Sequence, residues 1–464
     1  MNTKAKRRFQ TPHTFVILVA LIVIAAIATY FVPAGEFVRY DDPVTGRTLV
    51  ESGSYHTLDP RPFSFLKIPG AVYRALVDAS DIVTFLLIIG GAFELVNETG
   101  AIHAMCKRLS KSFKGRELLV IPLFLTLFSI FGTTMGMSTE VAIFVPIGIT
   151  LAHSLGLDKV TGTTMIAMGA ATGFTAGLLN PFSVGVAQDI AQVPLFSGIG
   201  YRAFILAVLL ITDTIYISWY AIRVKKHPEK SIIYGEPEDD EFIVDNTGDD
   251  TMTRRQAAVL VILFASFALL IYGLMCWGWY FEEMAAVFLT MGVAWGFVNG
   301  FGPNKVASVF GQGAKGIVVG ALIVGIARGI EVVLSDAMVI DTVINAAANL
   351  VSGIPQSIQC VGMFLAQTIV SFLVTSGSGQ AAITMPLMTP VADLVGISRQ
   401  TAVLAFQLGD GFSNSILPTS SSLMGYLVVS KIPYSKWLKF MIPLFLIWTG
   451  LGCLFMLGAI AIGY

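Results

Sequence analysis

The chain has 464 residues, of which 55% are hydrophobic and 13% are charged, and its mean hydropathy is +0.76. A soluble domain usually carries about a quarter charged residues, so this composition excludes an ordinary soluble protein. The net charge of −1 gives no indication of a nucleic-acid partner.

The apolar runs predict an all-α polytopic membrane protein, because several of them reach the roughly 20 residues needed to cross a bilayer. The first run, residues 14–32, is too long for a signal-peptide core and is expected to remain as a span. Lys4, Lys6, Arg7 and Arg8 precede it. By the positive-inside rule these basic residues predict a cytoplasmic N-terminus.

The first half, residues 1–226, is predicted to hold a re-entrant hairpin at residues 117–158. Two apolar arms of about 15 residues each, too short for a full crossing, flank the polar stretch GTTMGMSTE at residues 132–140. The span after the hairpin is interrupted at Asn180 and Pro181. The other elements of this half are spans at 14–32, 81–105, 160–179 and 201–222, an outer loop at 33–62 and an interfacial or broken helix at 63–79.

The second half, residues 278–464, follows an acidic cytoplasmic linker at 227–255 and a connecting span at 256–277. It is predicted to hold a second hairpin at residues 356–398, around the sequence TSGSGQ. Its remaining elements are spans at 285–299, 316–334, 401–429 (broken at 409–422) and 437–462, and an outer segment at 335–355.

The two halves resemble each other at an offset of 240 positions. Ser138, Ala142, Ile143 and Pro146 coincide with identical residue types in the second half, and the order of elements is kept throughout. The loop charges place the first hairpin on the cytoplasmic side and the second on the outer side. The predicted architecture is therefore an inverted-topology repeat of about nine transmembrane helices with two opposed re-entrant hairpins and two broken helices.

Four polar breaks, at residues 132–140, 172–183, 375–380 and 409–422, are expected to meet near the middle of the bilayer. Broken helices at membrane depth persist only inside protein or beside a watery cavity. Inverted repeats with discontinuous helices are typical of secondary transporters, whose sites lie near the midplane. The candidate substrate-binding residues are Thr133, Thr134, Ser138, Thr139, Glu140, Thr172, Asn180, Ser183, Ser376, Gly377, Ser378, Gln380, Asp410, Ser413, Asn414 and Thr419.

The mixture of residue types in these breaks suits a basic amino acid. Backbone amides at the tips, with the hydroxyl groups of Ser138, Thr139, Ser376 and Ser378, would hold an α-carboxylate. The side chains of Glu140, Asp410 and Asn414 would interact with the positive groups. A dicarboxylate would instead require Arg or Lys in the breaks around Glu140 and Asp410, and the sequence has none there.

Structural interpretations of the same residues stay open. Glycine and serine in membrane helices often serve close helix packing. Glu140 can cap the second arm of the first hairpin, and Asp410 can belong to a structural pair. Four scattered cysteines without histidine at ligand spacing predict neither a metal site nor redox chemistry, so no cofactor is expected beyond a coupling Na⁺ or H⁺.

The chain resembles the YfcC/ArcD basic amino acid antiporter family of the ion transporter superfamily. The resemblance covers nearly the whole chain and rests on four stretches: RRFQTPHTFVILVALIVIAAIATYFVPAGEF, GTTMGMSTEVAIFVPI, ATGFTAGLLNPFSVGVAQ and LGDGFSNSILPTSSSLMG. It implies an arginine/ornithine exchanger of the bacterial inner membrane. The related anaerobic C4-dicarboxylate carriers and aminobenzoyl-glutamate transporters imply a homodimer, in which each protomer has a scaffold and an elevator-type transport domain that contains both hairpins.

The predicted function is therefore secondary active transport by alternating access, without enzymatic activity. The alternative within transport is a Na⁺- or H⁺-coupled symporter of C4-dicarboxylates or small peptides. A channel is a further alternative, although no span shows the carbonyl or charged lining of a pore. Saturable flux that depends on a counter-solute would separate an exchanger from these alternatives.

Overall fold

The computed structural model describes residues 14–41, 48–51, 53–102, 104–105, 108, 113, 115–236, 252–277, 279, 281–355 and 358–464. The basic N-terminal residues on which the predicted orientation depends lie outside these ranges, as does most of the predicted acidic linker. The described part of the chain is mostly helical.

The first half contains eight described helices. The polar stretch at residues 132–140 contains the end of α4, which continues to Met135, and the turn after it; a short 3₁₀ segment, Thr139–Phe144, then leads into α5. The helices are α1 (Thr14–Ala28), α2 (Ile68–Asp78), α3 (Ser80–Glu98), α4 (Val120–Met135), α5 (Val145–Ser154), α6 (Lys159–Ala176), α7 (Val186–Ile190) and α8 (Ile199–Lys226).

After the first half, the described residues form ten helices, of which α9 belongs to the predicted connecting span and the other nine to the second half. Residues 371–376 separate α14 from α15, and residues 414–420 separate α16 from α17. The helices are α9 (Arg254–Tyr272), α10 (Phe281–Val298), α11 (Pro303–Ala327), α12 (Gly329–Asp336), α13 (Ile340–Ser352), α14 (Gln359–Val370), α15 (Gly377–Leu394), α16 (Arg399–Ser413), α17 (Ser421–Ser430) and α18 (Tyr434–Ile462).

Six helical segments of the described chain are long and apolar enough to cross a membrane. Together with the family assignment given below, they make the protein a multi-pass membrane protein. The total of nine spans, the inverted repeat and the domain boundaries stay predictions. The six segments are Ser80–Glu98, Glu117–Thr134, Ile199–Lys226, Phe281–Val298, Pro303–Asp336 and Tyr434–Ile462.

The prediction of an all-α chain is wrong for the loop between α1 and α2. This loop contains four short strands in two antiparallel pairs, β1 (Gly35–Glu36) with β4 (His56–Thr57) and β2 (Arg39–Asp41) with β3 (Thr48–Val50). The segment is too polar to form a span, and the paired strands satisfy backbone groups that no helix satisfies there. The loop is fixed to the start of α13, where the side chain of Asp341 accepts hydrogen bonds from the Phe37 amide and the Arg39 guanidinium.

The helices form two packed groups. The first helix group comprises α1–α3 and α9–α12, and the second helix group comprises α4–α8 and α13–α18. The two groups meet where α17 packs against α11 and where the rings of Phe144 and Phe267 approach to 4.7 Å between centroids. Both predicted hairpins belong to the second helix group.

Close backbone packing joins α4 to α6. A Cβ atom on Gly132 would overlap the carbonyl of Ala170, and one on Gly173 would overlap the carbonyl of Ser129. At these two positions the small residues serve helix packing, as the structural interpretation of the sequence allowed. Gly136 has a different function, since its φ of +63° ends α4 in the left-handed conformation and starts the reversal into the first tip.

Candidate functional site

A cavity of about 210 Å³ lies between the two helix breaks that the sequence predicts as hairpin tips. We call it the tip cavity. The first tip contributes Ser138 and Glu140, and the second tip contributes Ser376 and Ser378. The complete described lining is Gly136, Met137, Ser138, Thr139, Glu140, Phe174, Phe182, Trp279, Ser376, Gly377 and Ser378. Segments that are about 240 residues apart in the sequence therefore border one space.

Hydroxyl groups fix the first tip to α17. The Ser422 hydroxyl shares hydrogen bonds with the Ser138 hydroxyl at 2.7 Å and with the Thr139 hydroxyl at 2.9 Å. The buried side chain of Tyr426, one turn further along α17, lies close to Ser138 and Ser422. The Ser138 amide donates a hydrogen bond of 2.9 Å to the carboxylate of Glu140. The tip is therefore held both by its own carboxylate and by a neighbouring helix.

The second tip lies against the broken helix α16. Ser376 caps α15 by accepting a hydrogen bond from the Gly379 amide at 3.3 Å. A Cβ atom on Gly377 would lie 3.0 Å from the Asp410 carboxylate and 3.5 Å from the Cβ of Ser183. Gly377 thus lets three of the four polar breaks approach each other closely.

The described lining of the tip cavity has one acidic side chain and no basic side chain. Glu140 is the one ionisable side chain among the described lining residues, and none of them is Lys, Arg or His. The rest of the lining consists of hydroxyl groups, backbone at the glycines, Met137 and three aromatic rings. A carboxylate inside a membrane protein is costly to keep and is a functional group by default.

Several buried polar atoms around the breaks lack a hydrogen-bond partner among the described residues. Asp410 Oδ2 and Ser183 Oγ belong to this set, and both lie behind Gly377. Buried polar groups are nearly always paired, so such a concentration marks a place where a polar solute, an ion or water completes the hydrogen bonds. The other members near the breaks are Asn180 Nδ2, Gln380 Oε1, Gln407 Oε1 and Thr419 Oγ1.

The model of one protein family, described as the C4-dicarboxylate anaerobic carrier, matches residues 11–461. The chain belongs to the C4-dicarboxylate anaerobic carrier family. It is 37% identical to an Escherichia coli (strain K12) protein named "Putative basic amino acid antiporter YfcC", and the match covers 94% of each chain. It is 29% identical to an uncharacterized protein of Haemophilus influenzae, over 99% of this chain and 97% of the relative.

Two solved structures of transporters are also similar to this chain. The Alcanivorax borkumensis YdaH transporter gives a TM-score of 0.41 at 14% identity, covering 98% of this chain and 99% of its own. Neisseria gonorrhoeae MtrF, from a class of antimetabolite efflux pumps, gives a TM-score of 0.40 at 16% identity, covering 97% and 94%. The family and the relative's name establish a transporter, as the resemblance implied, and leave its substrate unassigned.

Six of the predicted site residues line the tip cavity of this carrier-family protein, and three more lie directly behind the lining. The six are Ser138, Thr139, Glu140, Ser376, Gly377 and Ser378. Ser183 and Asp410 approach Gly377, and the side-chain Nδ2 of Asn414 donates to Asp410 Oδ1 at 3.0 Å. Their roles in binding a substrate stay predictions.

The other predicted site residues do not line the cavity, and most of them have local partners. The Thr133 hydroxyl accepts from the Leu178 amide at 2.9 Å, and the Thr134 hydroxyl donates to the Ile130 carbonyl. The remaining contacts are Thr172 to Asp213, Asn180 accepting from the Phe182 amide, Gln380 to Gln367, and Ser413 to the Gly409 carbonyl. The Thr419 hydroxyl has no hydrogen-bond partner among the residues that the structure describes.

Sequence reasoning missed three features of the site. Trp279 lines the cavity although it lies outside every predicted break. Ser422 lies at the edge of a predicted break but was not singled out. Asp213, in the long helix α8, is fully buried and accepts hydrogen bonds from Thr172 and from Trp448 Nε1. Two of the three carried a signal: Ser422 is the last residue of the predicted break at 409–422, and Asp213 is a lone acid within an apolar span.

Proposed function

We propose that the protein is a secondary carrier of basic amino acids that exchanges arginine for ornithine across the bacterial inner membrane. The single observation that carries this proposal is the charge of the tip cavity, where Glu140 has no basic side chain beside it in the described lining. A guanidinium or ammonium group would neutralise this carboxylate, and a charge-assisted hydrogen bond to it would orient the substrate.

The opposite end of the substrate has its own candidate partners. The hydroxyl groups of Ser376 and Ser378 and the amides at the start of α15 line the second tip. Helix N-termini present free amide groups and a partial positive charge, which suit an α-carboxylate. The cavity thus offers a negative group at one tip and hydrogen-bond donors at the other, which matches a substrate with positive and negative ends.

A coupled symporter of C4-dicarboxylates is the second candidate, and two observations favour it. The family description names C4-dicarboxylates. Asp410 Oδ2 and Ser183 Oγ, buried and unpaired within the described part of the chain, would suit a coupling cation or proton. The absence of Lys, Arg and His from the described lining argues against this candidate, because a dicarboxylate would meet Glu140 without compensation.

The proposed transport cycle is alternating access of the elevator type. In this cycle the second helix group, which contains both tips, moves as the transport domain against the first helix group as the scaffold. The separate packing of the two groups supports this assignment. A homodimer with scaffold-to-scaffold contacts is part of the proposal and rests on the family resemblance.

The decisive experiment measures radiolabelled arginine entry into proteoliposomes that contain ornithine. We expect saturable uptake that requires internal ornithine and that Glu140→Gln reduces at least tenfold. Glu229→Gln is the matched control, because Glu229 is exposed and does not line the cavity. Uptake of succinate driven by a Na⁺ or proton gradient, without internal solute, would replace this proposal with the second candidate.

A further inference from the structure

One wall of the tip cavity comes from the first helix group. Trp279 lies between α9 and α10 and borders the same cavity as the two tips. The other described lining residues belong to the segments of the second helix group. Among the described lining residues, Trp279 is therefore the one that the first helix group contributes to the proposed substrate site.

The local backbone is built to hold this indole ring. α9 ends in a π-helical turn, Gly273–Trp277, and the Trp279 amide donates to the Gly273 carbonyl at 3.2 Å. A Cβ atom on Gly273 would overlap the six-membered ring of Trp279, so the ring lies directly on the glycine backbone. On the neighbouring turn, Trp277 packs its ring 5.2 Å from that of Trp279.

The position of Trp279 differs from that of an aromatic residue at the lipid interface. Trp277 is 57% exposed, as expected for the aromatic belt of a membrane protein. Trp279 is half-buried and lines the cavity together with Phe174 and Phe182. Three aromatic rings and one carboxylate thus surround a space whose described lining has no positive side chain.

This combination is the usual recognition surface for an organic cation. The face of an aromatic ring attracts a guanidinium or ammonium group, and tryptophan gives the strongest interaction of the aromatic side chains. Guanidinium also stacks on aromatic rings while its edge binds a carboxylate. Glu140 and Trp279 both border this cavity of about 210 Å³.

We propose that Trp279 is a specificity-determining residue that binds the cationic side chain of the substrate through its ring face and favours arginine over neutral analogues of the same length. This inference rests on the proposed function, since it needs a cationic substrate. It adds that the first helix group supplies a substrate contact, so that movement of the tips relative to Trp279 changes affinity during the cycle.

The test compares arginine KM in proteoliposomes for Trp279→Phe, Trp279→Leu and Gly273→Ala. We expect Trp279→Leu to raise KM about tenfold and Trp279→Phe less than threefold, because phenylalanine keeps a ring face. Gly273→Ala removes no cavity group, yet it displaces the indole and should raise KM in the same direction. Trp219→Leu, which changes a lipid-exposed tryptophan on α8, is the control and should leave KM unchanged.

Citrulline, which has a neutral group in place of the guanidinium, separates a cation–π contact from a steric wall. Its inhibition constant should change less than threefold in Trp279→Leu, so that the preference for arginine falls. Equal KM values for wild type and Trp279→Leu, or equal losses for arginine and citrulline, would overturn the inference while the proposed function stands. A wild-type protein without arginine flux would overturn both.

Discussion

The hydroxyl contact between the first tip and α17 predicts how readily the first tip opens, and this prediction does not depend on which substrate is carried. Ser422 joins two neighbouring tip residues, Ser138 and Thr139, through hydrogen bonds of 2.7 Å and 2.9 Å. Thr139 and Ser422 are each 8% exposed, so water does not readily replace these bonds. The substitution Ser422→Ala removes both bonds without adding volume.

The expected magnitude follows from the number of bonds lost. A typical hydrogen bond contributes about 0.5–1.5 kcal/mol net, so two bonds correspond to about 1–3 kcal/mol for docking of the tip. This loss raises the population of the undocked tip about 5- to 150-fold. The global fold should persist, because the change affects a local opening equilibrium.

Hydrogen exchange of the protein in nanodiscs measures this opening directly. The amides of residues 138–144 should exchange about 5- to 150-fold faster in Ser422→Ala than in wild type. Ser430→Ala is the matched control, since Ser430 lies on the same helix and its hydroxyl donates to the carbonyl of Leu427, within that helix, at 3.4 Å. Unchanged exchange at the tip, or an equal increase in the control, would refute the reasoning.

Three further predictions address the second tip, the buried acid and the outer loop. Gly377→Ala should abolish transport while changing the melting temperature by less than about 5 °C in a thermal-shift assay, because overpacking against Asp410 is offset by the better helix propensity of alanine. Asp213→Ala should destabilise the fold by about 1–3 kcal/mol in denaturant unfolding, since the Thr172 hydroxyl and the Trp448 indole N–H both lose their acceptor; a loss below about 0.5 kcal/mol contradicts this. Asp341→Ala should speed proteolysis of the loop at residues 33–62 more than Arg39→Ala does, because Asp341 accepts from two groups and Arg39 is half exposed; equal rates argue against the contact.

The sequence contained enough information to place the helix breaks. The helix ends lie close to the predicted breaks but do not coincide with them: α4 ends at Met135, inside GTTMGMSTE, and α14 ends at Val370, before TSGSGQ begins at Thr375. Membrane helices interrupt their hydrogen bonding only where polar groups take over, which is why the breaks could be found near these stretches. The prediction did not find the strands near Arg39 or the amphipathic helix α13. Both lie in segments of mixed polarity, where contacts with the rest of the fold decide the backbone conformation.

Which polar residues face the cavity could not be predicted from the sequence. Thr133 and Ser138 are both polar residues of one break, yet Thr133 binds the Leu178 amide while Ser138 lines the cavity. A hydroxyl group suits both a structural hydrogen bond and a cavity lining. The rotation of each helix end determines which of the two environments the hydroxyl faces. The position of Trp279 in the cavity lining could not be predicted either, because an aromatic residue after a span normally indicates the membrane interface. Only the turn at Gly273 directs it to the site.

The charge of the tip cavity also limits how a C4-dicarboxylate could be carried by this chain. Two like charges about 5 Å apart repel by about 3 kcal/mol at an effective dielectric constant of about 20. A dianion beside Glu140 would meet this cost, and Asp410 behind the second tip adds a further acid rather than a base. Dicarboxylate transport would therefore require bound cations or protons to neutralise the acids, and its rate would depend steeply on them. Arginine has a net positive charge and needs no such ion, so exchange that is insensitive to Na⁺ would favour the basic substrate.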